Sequence, residues 1–227
     1  MIWPCEHTGL VRIRAMILPG EPSWKLRPSS HRGSLLAMSD LETRRATYDD
    51  LLKVPEHMVA EIIDGGLYAL PRPALRHSKT SFVLMGHLAG PFHLAVSGPG
   101  GWTFLNEPEL HLRDDVVVPD IAGWRNERMV DVPDAAFADL APDWVCEVLS
   151  PRTQKIDRSR KMGIYARDGV RHIWLIDPIE QILEVYRLQG ESWLRVAIHQ
   201  DDEVVRAEPF DAIEVKLATL WWQTTNV

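Results

Sequence analysis

A chain of 227 residues that is 45% hydrophobic and 25% charged has the composition of an ordinary globular protein, long enough for one domain with a real core. That balance excludes a fibrous or wholly disordered design, and apolar runs such as Ile173 to Ile176 fall far below the roughly 20 residues of a membrane span, so no membrane partner is expected. The formal charge of −7 argues against a general polyanion binder, because phosphate affinity comes from basic groups that displace counterions.

Residues 1–37 are rich in Pro, Ser, Gly and Trp and show no periodicity, so they are expected to form a poorly ordered N-terminal extension, with the domain proper over 38–227. Met38 is a candidate start of the functional chain. The extension carries five cations against two acids, a net +3, which leaves −10 for residues 38–227. Cys5 and Cys146 are too few for a disulfide framework or a thiolate metal site, and a reducing, cytoplasmic setting is expected.

Thr47 is positioned to cap a short helix through Leu52. Val59 to Ile63 and Leu67 to Leu70 flank Asp64-Gly65-Gly66, turn chemistry that predicts a hairpin. The spacing of Phe82, Leu84, Met85 and Leu88 predicts a helix from about His77 to Leu88. Strands are then predicted at Trp102 to Leu105, Glu109 to Leu112, Val116 to Trp124 and Trp144 to Leu149. A helix over Thr153 to Asp168 ends at Gly169, and strands follow at His172 to Ile176, Leu183 to Leu188, Trp193 to Ile198 and Ile213 to Leu217. Strands around a crossing helix imply an α/β (α+β) domain with a mixed central sheet.

Two acids stand where apolar strands should have none. Asp120 follows Val116-Val117-Val118-Pro119, and Glu147 interrupts Trp144-Val145-Cys146 and Val148-Leu149. A buried carboxylate needs a cation, a hydrogen-bond cage or a metal. Taken singly, either acid is more simply explained by an arginine partner or a helix N-terminus. Side by side they suit Mg²⁺ or Mn²⁺, which take oxygen ligands together with water and phosphate.

Pro119-Asp120, then Asp143-Trp144-Val145-Cys146-Glu147-Val148-Leu149-Ser150-Pro151-Arg152-Thr153, then Lys161, Tyr165, Gly169-Val170 and Trp174-Leu175-Ile176-Asp177-Pro178 resemble the Uma2 family of the PD-(D/E)XK nuclease superfamily. The resemblance covers about residues 47–190 and includes Glu61-Ile62-Ile63-Asp64-Gly65. It implies a restriction-endonuclease-like core, a mixed central sheet flanked by helices, and Mg²⁺-dependent phosphodiester hydrolysis. In that reading Asp120, Glu147 and Glu61 bind the metal, and Asp120, Glu147 and Lys161 are catalytic. The substrate is nucleic acid, with DNA the expected polymer.

One position departs from the superfamily motif: Leu149 stands where the lysine two residues after the acid belongs. Lys161 matches the substitute cation that the family carries on the following helix, and a long amine can reach the same space from there. Lys155 is the nearer alternative in sequence. Asp157, Lys161 and Tyr165 recur at i, i+4 on one helix face, where Asp157 is placed to orient Lys161. His77 matches a family histidine at the start of a helix but reads more simply as a capping or solvated histidine, Ser150 and Thr153 as helix caps, and Trp144 and Trp174 as core aromatics. The alternative function is a catalytically inactive nuclease-fold binding or self-associating module, for which Trp221-Trp222 offers a homodimer contact.

Overall fold

The computed structural model describes residues 44–221. The expected extension over 1–37, and Trp222 of the tryptophan pair, lie outside the described residues. Among the described residues no helix is long and apolar enough to cross a membrane.

The first helix, α1 (Tyr48–Leu51), starts where Thr47 donates from its backbone N–H (3.0 Å) and its hydroxyl (2.8 Å) to Asp50 Oδ2. Arg44 pairs with the same carboxylate at 2.9 Å. Strands β1 (Met58–Ile63) and β2 (Gly66–Pro71) form the predicted hairpin, with Asp64 (φ 52°) and Gly65 (φ 76°) both left-handed, as a tight two-residue turn between right-twisted strands requires. Helix α2 (Leu75–Leu88) begins two residues earlier than predicted and runs into a π-helical turn over Ala89–His93.

Strands β3 (Trp102–Asn106) and β4 (Glu109–Leu112) follow, and here the structure corrects the sequence reading. The single strand predicted over Val116 to Trp124 is two, β5 (Asp115–Val117) and β6 (Ile121–Arg125), which lie in different sheets. Pro119 explains the break: it has no N–H to give to a ladder and it restrains Val118 before it. The chain therefore changes sheets across Val118-Pro119-Asp120, and Asp120 sits at the junction.

After a short β7 (Phe137–Ala138), β8 (Trp144–Val148) runs parallel to β9 (His172–Asp177), with Glu147 opposite Leu175. A parallel pair needs a crossover connection. That crossover is the predicted helix, resolved into α3 (Gln154–Ile156), a π-helical turn over Asp157–Lys161, and α4 (Met162–Arg167), which ends at left-handed Gly169 (φ 77°). The β10 (Ile182–Gln189) and β11 (Ser192–Gln200) hairpin completes a six-stranded sheet ordered β11-β10-β9-β8-β6-β3. The second sheet is ordered β2-β1-β5-β4-β7. The strand predicted at Ile213 to Leu217 shrinks to β13 (Val215–Lys216), paired only with β12 (Val204–Val205). The fold is thus mixed α+β, as the alternation of elements implied.

The large sheet is buried on both sides. Along β8, Trp144, Cys146 and Val148 face one core, while Val145 and Leu149 face the other, beneath the crossover helix. Phe210 anchors the first core, with ring centroids of Phe92, Trp102 and Trp144 each 4.9 Å away, Phe104 at 5.5 Å and Trp174 at 5.6 Å. Trp144 and Trp174 are core aromatics as read from the sequence. Trp221 is also buried here, its indole N–H donating to the Asp201 carbonyl.

Phe210→Ala removes the hub of five rings and is expected to cost about 3–5 kcal/mol in urea unfolding. His172, at the start of β9, provides a pH signature. Burial, reinforced by Arg187, Arg125 and Arg171, lowers its pKa from 6.5 to about 4, so the folded state favours the neutral ring. Its contribution is complete above pH 6.5 and is lost as pH falls toward 4, because the unfolded chain takes up the proton first. Relative to His172→Asn, the wild type should lose stability across that window; a constant difference between the two would refute the assignment.

Candidate active site

Half of the buried acids among the described residues are ordinary. Asp50 meets Arg44 at 2.9 Å, Asp143 meets Arg128 at 2.9 Å, Asp115 meets Arg167 at 2.9 Å, and Glu184 meets Arg158 at 2.5 Å. Each has its own guanidinium, which is the usual condition for burying a carboxylate. Glu61, Asp120, Glu147 and Asp157 differ, since these four buried acids share one lysine and one histidine.

The fold assembles them from separate elements. Ile121 pairs with Cys146 across β6 and β8, so Asp120, one residue before, comes beside Glu147. The alternation that sends Trp144 and Cys146 into the first core sends Glu147 to the opposite face, toward the crossover helix. Val148 N–H donates to Asp120 Oδ2 at 2.7 Å, which locks the Asp120 carboxylate to β8. Glu61 enters from β1 of the second sheet and accepts the Val118 N–H at 2.8 Å, just where the chain changes sheets.

Lys161 joins the two sheets. Its ammonium lies 2.9 Å from Glu61 Oε1 and 2.8 Å from Glu147 Oε1, donates to the Val118 carbonyl at 3.2 Å, and has Asp157 Oδ1 at 3.9 Å. The side chain is only 3% exposed. Lys155, the alternative cation, is exposed on the outside of the helix, and Leu149 is core. The structure therefore brings Lys161, and not Lys155, to the two glutamates. Tyr165 donates to Glu147 Oε1 at 2.6 Å.

Two features escaped the sequence reading. His77, expected as a capping or solvated residue, is half-hidden in the same cluster, with Nε2 3.2 Å from Asp120 Oδ1 and Nδ1 buried without a partner. Its position at the start of a helix gave no hint of that neighbour, which depends on α2 packing against β8. The π-helical turn over Asp157–Lys161 is the second. It widens the helix where Asp157 and Lys161 turn inward, and such turns are frequent at functional sites.

The electrostatics follow from burial. Desolvation pushes Lys161 toward the neutral amine, but the carboxylates of Glu147 and Glu61 more than reverse this and hold it charged. Burial pushes Glu147 well up; Lys161 opposes that, while Asp157, Asp120 and Glu61 add to it. Tyr165 is likewise pushed up by burial and by Glu147, so it remains a hydroxyl donor. For His77, burial acts downward and Asp120 outweighs it, raising the pKa overall. The cluster holds more negative charge than its own cations balance.

That imbalance is the test for a bound cation. Oxygen donors, deep burial and surplus negative charge fit a hard divalent ion, which is satisfied by one or two carboxylates with water and phosphate completing its shell. Among the described residues no three His, Cys, Asp or Glu side chains stand in a ready-made metal cage. All three candidate ligands already have partners: Glu61 meets Lys161 and the Val118 N–H, Glu147 meets Lys161 and Tyr165, and Asp120 meets His77 and the Val148 N–H, so the fit rests on Asp120 and Glu147 as neighbours across paired strands.

Replacing Lys161 by Met would leave Glu61 and Glu147 buried without their cation. The expected cost is about 3–5 kcal/mol at neutral pH in a chelating buffer. It should shrink as pH falls, because a carboxyl whose folded pKa is raised destabilises the fold only while ionised. Urea unfolding of wild type and Lys161→Met at several pH values measures both effects.

A family profile described as "Putative restriction endonuclease", that of Uma2, matches residues 45–219. No curated protein matches the chain. Among solved structures, one described as a putative nuclease belonging to DUF820, from Anabaena variabilis ATCC 29413, is similar at a TM-score of 0.62 and 26% identity, over 78% of this chain and 97% of that one.

Proposed function

This chain belongs to the Uma2 family, and from that membership we propose that it is a divalent-cation-dependent endonuclease that hydrolyses nucleic-acid phosphodiester bonds at the Glu61, Asp120, Glu147 and Lys161 cluster. The family is described as "Putative restriction endonuclease", and the similar solved protein as a putative nuclease. The observation that carries the reading is the surplus of four buried carboxyl groups around one ammonium and one imidazole. An arginine per acid would make a stable interior. Four acids around one lysine and one histidine make a seat for a further cation.

Asp120 and Glu147 would hold Mg²⁺ or Mn²⁺, with Glu61 as a third acid once it is shared with Lys161. When bound, the ion polarises a phosphoryl oxygen and lowers the pKa of a coordinated water. The side chains do the positioning. His77 and the Val148 N–H fix the two oxygens of Asp120, and the Tyr165 hydroxyl fixes Oε1 of Glu147. Lys161, kept as an ammonium, is the group that offsets negative charge growing on the phosphoryl oxygens. It is unsuited to act as the base, because its neighbours hold its proton. The absence of a lysine at position 149 is then no loss of function: the helix supplies the cation that the strand does not.

Cleavage of supercoiled plasmid and of single- and double-stranded oligonucleotides in Mg²⁺ or Mn²⁺ is the test. Glu147→Gln and Lys161→Met should each lower the rate by about 100-fold or more, the scale expected for removing a group that stabilises transition-state charge. A folded wild type that leaves every substrate intact, or variants as active as wild type, would sink the proposal and favour a binding module built on a nuclease fold.

A further inference from the structure

The charge of the protein is far from uniform. Residues 152–167, from the turn after β8 through the crossover helix, hold six cations (Arg152, Lys155, Arg158, Arg160, Lys161 and Arg167) against one acid, Asp157. Only Lys161 and Asp157 turn inward; Arg152, Lys155, Arg158, Arg160 and Arg167 are exposed. A segment of net +5 thus crosses a body whose residues 38–227 sum to −10. The inward pair belongs to the active-site cluster; of the other five, Arg158 pairs with Glu184, Arg160 with Asp64 and Arg167 with Asp115 and Asp168, while Arg152 and Lys155 have no ion pair among the described residues.

The outer face of this helix is also the floor of a groove of about 680 Å³, closed on the far side by the β10–β11 hairpin. Ser159, Gly163 and Ala166 form a floor of small side chains, and Arg158, Arg167 and Arg113 stand along its walls, with Glu191 the one acid in the lining. A Cβ at Gly163 would meet nothing within 4 Å, so the floor is open. The arginines are held but not used up. Arg158 reaches Glu184 through Nη1, Arg113 uses Nε on Asp168 and Nη2 on the Arg167 carbonyl, and Arg167 uses Nε on Asp168 and Nη2 on Asp115 and Asp168, whereas a guanidinium has five N–H donors. Anchored in this way, the forks lose little further freedom on meeting an anion.

We infer that the exposed face of the crossover helix, with Arg113 beside it, is a track for the phosphate backbone of the nucleic-acid substrate. The inference rests on the nuclease reading for its choice of polyanion. At about 1.5 Å of rise per helical residue, the helical stretch from Gln154 to Arg167, with Arg152 in the turn before it, extends over roughly 20 Å. Phosphates recur about every 3.4 Å along a strand, so this length matches several in succession. A small anion needs only a point, and a lipid surface needs apolar anchors, for which Met162 and Trp193 alone are present in the groove. Lys161 projects from the opposite side of the same helix, so a strand held on this track is held by the element that carries the site's own cation.

The test separates binding from cleavage. Anisotropy of labelled single-stranded DNA, duplex DNA and RNA is measured in a chelating buffer across a series of salt concentrations, for wild type, Arg152→Gln/Lys155→Gln and Gly163→Asp. Arg152 and Lys155 lie outside the active-site cluster, and Gly163 has room for the added carboxylate. Wild-type affinity for at least one of the three polymers should fall steeply with salt. The double variant should reduce the slope of log K against log salt by about one to two, and Gly163→Asp should weaken binding by about threefold or more. Unchanged slopes and affinities in both variants would overturn the track, as would a wild type that binds none of the three. The nuclease reading is judged separately by cleavage in Mg²⁺: a cutting enzyme with unaltered variants loses the track alone, and a binding protein that never cuts loses the chemistry alone.

Discussion

The ammonium of Lys161 is the contact on which the arrangement depends. Glu61 belongs to the smaller sheet, Glu147 to the larger one, and Lys161 to the helix that crosses between β8 and β9; a single buried cation touches all three. Without it, two carboxylates would face one another in a low-dielectric interior, a juxtaposition that costs far more there than in water. The same contact takes in the Val118 carbonyl, so it also holds the point where the chain leaves one sheet for the other. Fold and site are here one electrostatic problem with one solution.

Much of the fold was legible because its signals are local. Asp64-Gly65 prescribes left-handed backbone and therefore a tight hairpin, and the glycine at 169 ends the crossover helix for the same reason. The parallel pairing of β8 and β9 follows from a helix lying between two apolar strands. Pro119 was the signal that should have split the strand predicted over Val116 to Trp124, since it can neither donate to a ladder nor leave its predecessor free. The small β7 and β12 strands, two residues each, owe their pairing to tertiary neighbours and leave no period to read.

The site was legible in its acids and less so in its partners. Glu147 stands out as the one charge in an apolar strand, and Asp120 as the acid after a valine run. Which cation meets them depends on a helix docking at a particular rotation, and the π-helical turn that sets this rotation has no sequence signature. His77 shows the limit most clearly: a histidine near a helix start is compatible with several fates, and only the packing of α2 chooses Asp120 for it. The overall charge is likewise a sum that hides its distribution. The net negative charge of the body is not spread evenly, since the crossover helix and the turn before it carry five exposed cations.

Moving a cation from a strand to a helix also changes what kind of sequence change the site tolerates. A lysine two residues beyond an acid on the same strand keeps its direction through any alteration elsewhere. Lys161 stands fourteen residues after Glu147, across a turn and a widened helical turn, so its direction is a matter of angular phase. Removing one residue between them would swing it by roughly 100° around the helix axis, while leaving both strand acids in place. The length of that segment, invisible to any motif written as adjacent letters, is as much a part of the site as the side chains themselves.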